Sequence, residues 1–239
     1  MEGVKMERYE QEAWQEVIAW KKKMFHKPST FERISKKTQG KINQYIPGKV
    51  HRAITESIKG LVEGVLSGSS YISKEKQVDL LSLQQKEEWV KETISTYRKT
   101  AVVEGAGTGA GGLFLGLADF PLLLSIKMKL LFEIARLYGF DAKQYEERLF
   151  ILYVFQLAFC SDEKRAETLQ IIERWGEATD IDWQVLQQEY RDHIDLVKMF
   201  QLIPGIGAVV GAYANRQLID QLGETAMNCY RIRLIAQER

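Results

Sequence analysis

The chain has 239 residues, 45% of them hydrophobic and 27% charged, which is enough to bury about 70–75% of the surface its unfolded form would expose. That composition excludes a disordered or low-complexity protein, and two cysteines exclude a disulfide scaffold or a Cys-rich zinc module. The net charge of +1 hides a division: residues 21–52 hold ten basic residues against the single acid Glu32, whereas residues 141–195 hold thirteen acids against six bases. Opposite lobes of charge concern partners rather than fold.

Helical periodicity runs through the chain. Tyr9, Ala13, Val17 and Met24, with Trp14 and Ile18, make the stripe of a first helix. Ser29 and Glu32 have the spacing of a capping box, so a second helix is expected there, ending before Pro47. Val50, Ile54, Ile58, Leu61 and Val65 stripe a third, which stops near Ser67-Gly68. Residues 73–85 are polar and read as a loop or a weak helix; Trp89, Ile94 and Tyr97 belong to a helix that enters a glycine-rich block. Asp119-Phe120-Pro121 reads as an N-cap with proline in the first turn, opening a helix that runs to Tyr138 and closes at Gly139. Lys129, Glu133 and Arg136 share one face of that helix, and Lys127 falls on the opposite, apolar side, where a snorkelling role is its plain reading. Further helices are expected at 144–160, 162–174, 183–200, 204–218 and 224–236. Period-two alternation is almost absent. The expected fold is all-α, a single multi-helix domain over 9–238. It divides into basic N-terminal helices (9–67), a Gly-rich core hairpin (85–139), an acidic helical insert (141–200) and a C-terminal Gly-rich hairpin (201–236).

The glycine block is the strongest local signal. Gly105, Gly107, Gly109, Gly111, Gly112 and Gly116 fall within twelve residues, and Gly207 and Gly211 repeat the i, i+4 spacing far downstream. On helices such pairs let another backbone approach closely. Six glycines cost a helix about 6 kcal/mol relative to alanine, which close packing must offset. Either a membrane-facing hairpin or tight packing inside a core answers that need. The block also matches the dinucleotide fingerprint at Gly107-x-Gly109-x-x-Gly112, but the flanks read helical and the acids Asp119 and Glu133 are misplaced for a βαβ unit.

Searches for chemistry give little. His26, His51 and His193 are scattered outside any zinc-binding frame, and Cys160 and Cys229 sit in apolar helical surroundings. The adjacent acids Glu87/Glu88 and Glu146/Glu147 point to different sides of their helices and read as solvated faces. Asp119, Lys127 and Asn215 are the candidate special residues; Asp119 with Lys127 as an acid/base pair would make a hydrolase or transferase. No cofactor or metal is expected. No secretory signal is visible at residues 1–12, and the longest uncharged runs (200–215, 105–118 and 149–161) are too short to span a bilayer. Lys21, Lys22, Lys23, Lys27, Arg33, Lys36, Lys37, Lys41, Lys49 and Arg52 suit an anionic membrane surface or a membrane transporter subunit. Nucleic acid fits less well, because only Phe25, Phe31 and Tyr45 interleave them.

The residues then suggest a family. Residues 104–112, Ala118-Asp119-Phe120-Pro121, residues 134–141 and 203–211, Asn215, residues 223–226 and 231–234 together resemble the EcsC family, over about residues 12–236. The acidic stretch 162–195 departs from anything in that pattern. The resemblance implies a helical accessory protein peripheral to the inner face of the cell membrane: the family takes its name from a bacterial protein encoded beside an ABC-type exporter. It supplies no catalytic residues to carry over. The expectation is therefore a non-enzymatic cytoplasmic adaptor, with a binder of a small hydrophobic or lipid ligand in a helical groove as the main rival.

Overall fold

The computed structural model describes residues 8–25, 48–67, 78–110, 120–160, 162–175 and 207–237. Among these the chain forms α1 (Arg8–Met24), α2 (Gly48–Ser67), α3 (Leu83–Ala110), α4 (Phe120–Tyr138), α5 (Tyr145–Phe159), α6 (Asp162–Glu173) and α7 (Gly207–Gln237). The fold is all-α. The expected helices at 29–46 and 183–200 lie outside the described residues.

Local chemistry sets the helix ends. Ser82 and Gln85 form a reciprocal capping box: the Gln85 N–H donates to Ser82 Oγ at 3.3 Å, and the Ser82 N–H donates to Gln85 Oε1 at 3.0 Å. Helix α3 therefore starts at Leu83, inside a stretch that reads as loop or weak helix by composition. Gly139 ends α4 with φ +97°, and the Phe140 N–H donates back to the Ala135 carbonyl at 3.0 Å. Only glycine takes that turn without strain.

Helix α7 is the axis of the molecule. Its 31 residues rise about 46 Å, and it packs against α1, α3, α4, α5 and α6. Its most extensive partner is α3, in an antiparallel register fixed at three levels: Arg231 beside Glu87, Gly223 beside Ile94, and Asp220 beside Arg98. Helix α1 also runs antiparallel to α7, through Glu16 to Arg231 and Lys23 to Glu224. Arg165 of α6 donates to the carbonyls of Met24 and Cys160, tying the end of α1 to the end of α5. Helix α2 packs on α4 and α5. One apolar cluster draws on all seven helices.

One expectation changes here. The sequence divides the C-terminal region into two helices, but residues 207–237 are one continuous helix. Gly223, in the gap between the two expected helices, is a contact: Ile94 atoms of α3 lie 2.7–3.0 Å from where its Cβ would stand. Trp89, Ile94 and Tyr97 lie on one helix, α3, as expected; Trp89 is at its exposed margin, and the buried stripe runs through Glu87, Val90, Ile94 and Ala101. Residues 149–159 of the uncharged run belong to α5, twelve of whose fifteen residues are buried, so it is an interior helix.

Candidate functional site

The last turns of α7 read Tyr230-Arg231-Ile232-Arg233, and two arginines within apolar helix must find partners or stay in water. Both find partners. Arg231 donates from Nε and Nη2 to the two carboxylate oxygens of Glu87, each at 2.6 Å, a bidentate pair in which Glu87 is fully buried. Its Nη1 donates to Glu16 at 2.7 Å, near the surface on α1. Two phenols complete the group: Tyr9 donates to Glu87 at 2.8 Å and Tyr138 at 3.2 Å. One glutamate thus joins α1, α3, α4 and α7.

Arg233 makes a second group. Its Nη1 meets Glu147 of α5 at 2.5 Å, and Tyr230 donates to the same carboxylate at 2.6 Å. The Arg233 guanidinium lies over Phe140 and Phe150, 4.1 and 4.6 Å from their ring centres, so π faces replace part of its lost hydration. Tyr138 stacks on Tyr230 at 5.2 Å between the two groups.

The electrostatics follow from enclosure. Burial pushes the Tyr138 and Tyr230 phenols well above their usual range, and their neighbours Glu87 and Glu147 add to it. Burial also raises the Glu147 carboxyl, against the opposing pull of Arg233 and Tyr230. For Arg231, burial works against the charge, but the hydrogen bonds and charge of Glu87 outweigh it and hold the guanidinium protonated. Phenols that hold their protons and carboxylates already bonded to arginine position helices; they are not poised to attack or to shuttle protons.

These residues were not singled out by sequence. Glu87 and Glu147 read as members of solvated acid pairs, and that reading holds only for their neighbours Glu88 and Glu146, which are exposed. The available signal was that adjacent acids must face different ways, and that Glu87 lies on the helical stripe of Val90 and Ile94.

The predicted cationic residues fare differently. Lys21 pairs with Glu173 of α6 at 2.5 Å and lies over the Trp14 ring; Lys23 pairs with Glu224 at 3.4 Å. Lys22 and Arg52 are exposed. Lys49 opens α2, with its side chain outside the described residues, as are Lys27, Arg33, Lys36, Lys37 and Lys41 altogether.

Gly105, Gly107 and Gly109 occupy the end of α3, and Gly207 and Gly211 the start of α7; Gly111, Gly112 and Gly116 lie outside the described residues. Continuing the antiparallel register from Arg98 and Asp220 by about 10–20 Å along each helix brings the Gly105–Gly109 stretch of α3 level with the Gly207–Gly211 start of α7. Asp119 lies outside the described residues. Lys127 is 2% exposed, so it does not snorkel to water. Asn215 is also 2% exposed, and its Nδ2 has no hydrogen-bond partner among the described residues.

Comparison with known proteins completes the site. Residues 11–235 match the EcsC protein family. Protein EcsC of Bacillus subtilis (strain 168) is 53% identical over 224 residues, which cover 93% of this chain and 95% of that protein. A second protein of the same organism, the uncharacterized protein YdbA, is 28% identical over 249 aligned residues, covering 93% of this chain and 91% of its own. No solved structure matches. The resemblance carried by the glycine blocks and the C-terminal arginines is thus one of descent: the chain belongs to the EcsC protein family.

Proposed function

We propose that this protein is a non-enzymatic accessory protein at the cytoplasmic face of the cell membrane, working beside an ABC-type exporter and held there by anionic lipid. The observation that carries the reading is the concentration of charge in residues 21–52, ten bases against one acid. Each lysine or arginine engaged at an anionic surface contributes about 1 kcal/mol. Four engaged residues give about 4 kcal/mol, or roughly a thousandfold in affinity. Attachment in this reading is to the surface; among the described residues no helix is long and apolar enough to cross a membrane.

The test is co-flotation of the full chain with vesicles of phosphatidylglycerol and phosphatidylcholine, against phosphatidylcholine alone, at low and high salt. Binding confined to the anionic vesicles and weakened by salt is expected. Replacing Lys27, Lys36, Lys37 and Lys41 by Gln lowers that binding and flattens its salt dependence. A chain that ignores anionic vesicles at low salt is not held by lipid charge.

A second reading is favoured by Asn215, which is buried near the start of α7 and whose Nδ2 has no hydrogen-bond partner among the described residues. In that reading a small hydrophobic or lipid ligand with a polar acceptor lodges there. Mass spectrometry of organic extracts from purified protein tests it; a ligand present in stoichiometric amount in the native chain and lost from Asn215→Leu is the expected result.

A further inference from the structure

The bonds from Tyr9, Glu16, Lys21, Lys23 and Met24 of α1 each end on a group that keeps a second partner or reaches water. Glu87 accepts from Tyr9, but it also holds Arg231 by two bonds and Tyr138 by one. Arg231 without Glu16 retains Glu87, with Asn228 Oδ1 3.5 Å away. Arg165, which donates to the Met24 carbonyl, still has the Cys160 carbonyl. Glu173 and Glu224, the partners of Lys21 and Lys23, are exposed. Departure of α1 therefore leaves none of these charges enclosed and alone, so the penalty of a broken buried pair does not arise. What remains to hold the helix is apolar: Ala13, Val17 and Trp20 are buried, and Trp14 and Met24 pack part-exposed against the core.

That apolar face has a second place to go. From Val17 to Phe25 the chain reads Val-Ile-Ala-Trp-Lys-Lys-Lys-Met-Phe, without an acid, and it continues into the basic stretch that ends at Arg52. The acids of α1, Glu10, Glu12 and Glu16, lie before it. Phe25 is already 48% exposed, and Lys22 and Lys23 are exposed with it. Tryptophan and lysine on one amphipathic helix suit the headgroup boundary of a bilayer. The indole is apolar with one polar N–H, and the lysine stem lies along apolar surface while its ammonium reaches the phosphates.

We propose that α1 is a detachable lipid anchor. At an anionic bilayer Lys21 and Lys23 exchange Glu173 and Glu224 for lipid phosphates, and Val17, Trp20, Met24 and Phe25 leave the bundle for the acyl boundary. Away from the bilayer the same side chains hold α1 against α6 and α7. This rests on the membrane reading above, and it gives the basic stretch an apolar partner in the same segment of chain.

The experiment measures whether α1 parts from α3. Gln15 and Glu92 are exposed and lie six and five residues beyond the Tyr9–Glu87 bond that joins the two helices. The native Cys160 and Cys229 are buried, so spin labels on Gln15→Cys and Glu92→Cys report one distance. In solution that distance should be short and single. With vesicles of phosphatidylglycerol and phosphatidylcholine it should lengthen and broaden, and with phosphatidylcholine alone it should not change. Glu173→Gln with Glu224→Gln frees both lysines by changes at the surface and should tighten anionic-vesicle binding about tenfold. Glu56→Gln with Glu63→Gln, at exposed acids of α2, removes the same charge and should tighten it far less. Vesicle-bound protein that keeps the short distance, or an α2 pair that tightens binding as much as the first pair, overturns the anchor and leaves surface attachment standing. A parent chain that binds no anionic vesicle overturns both.

Discussion

Arg231 shows why a buried charge is kept in place by its partner more than it stabilises the fold. Removing one member of a buried ion pair typically costs about 3–5 kcal/mol, because the other is left enclosed and uncompensated. Arg231→Met should therefore destabilise the protein by about that amount. Adding Glu87→Gln in the same chain should recover most of the loss. A glutamine needs no counter-charge; its one carbonyl oxygen accepts from one of the two phenols that now donate to Glu87, Tyr9 and Tyr138, and its amide N–H can donate to the oxygen of the other. Urea unfolding of the two variants decides it; a double variant no more stable than Arg231→Met would mean that the network is held by shape rather than charge. Glu147 has a different signature, because burial has raised its carboxyl above the ordinary value of 4.5. Below 4.5 the folded and unfolded chains both hold the proton. Above it, and up to the raised value, only the folded chain does, so this group's contribution to stability falls as pH rises through that window. Glu147→Gln removes the contribution. The difference in unfolding free energy between the parent and Glu147→Gln should thus shrink as pH climbs from 4.5, and a difference that grows would show the carboxyl to be lowered instead.

At the scale of an element, the α3–α7 interface turns on a missing side chain. Alanine normally favours a helix over glycine by about 1 kcal/mol. At Gly223 the new methyl would meet Ile94 at 2.7–3.0 Å, closer than carbon atoms approach without displacement. Overpacking of this kind costs about 1–3 kcal/mol, so Gly223→Ala should be neutral or, more often, destabilise by about 1 kcal/mol or more. In an Ile94→Ala background the obstructing atoms are gone and the same substitution should stabilise. Gly60 and Gly64 of α2 have nothing within 4 Å of a Cβ position, so alanine at either should stabilise by about 0.5–1 kcal/mol. Thermal melts of the set separate packing from propensity: if Gly223→Ala behaves like Gly60→Ala, the close approach to Ile94 is not holding the two helices together. The cost of glycine inside helices, which made the glycine blocks conspicuous, is offset here at one residue by a contact that can be named.

For the whole molecule, much of the architecture was legible as periodicity. The stripe of Ala13 and Val17, the stripe of Ile58, Leu61 and Val65, the proline entry to α4 and the glycine exit from it all appear where spacing and turn chemistry place them. Periodicity does not state which stripe faces which. Glu87 and Arg231 are 144 residues apart, and nothing local to either announces the other. The continuity of α7 was hidden for the same reason: Gly223 marks a helix end in isolation and a helix contact only once α3 lies against it. That arrangement predicts how stability is distributed. Helix α7 between Leu218 and Ile232 faces five helices and is almost wholly buried, and α5 is buried around nearly its whole circumference. Helix α1 fully buries Ala13, Val17 and Trp20, with Trp14 and Met24 packed part-exposed against the core and Tyr9 bonded to Glu87, and each of its ion pairs to other helices has a solvent-exposed partner. Amide exchange should therefore be slowest in α5 and in the second half of α7, limited by global unfolding, and much faster in the first two turns of α1, which can open alone. Hydrogen exchange read by mass spectrometry measures this directly. If α1 exchanges as slowly as residues 218–232, the pairs from Glu16, Lys21 and Lys23 bind it into the global unit, and screening them with salt should then speed its exchange.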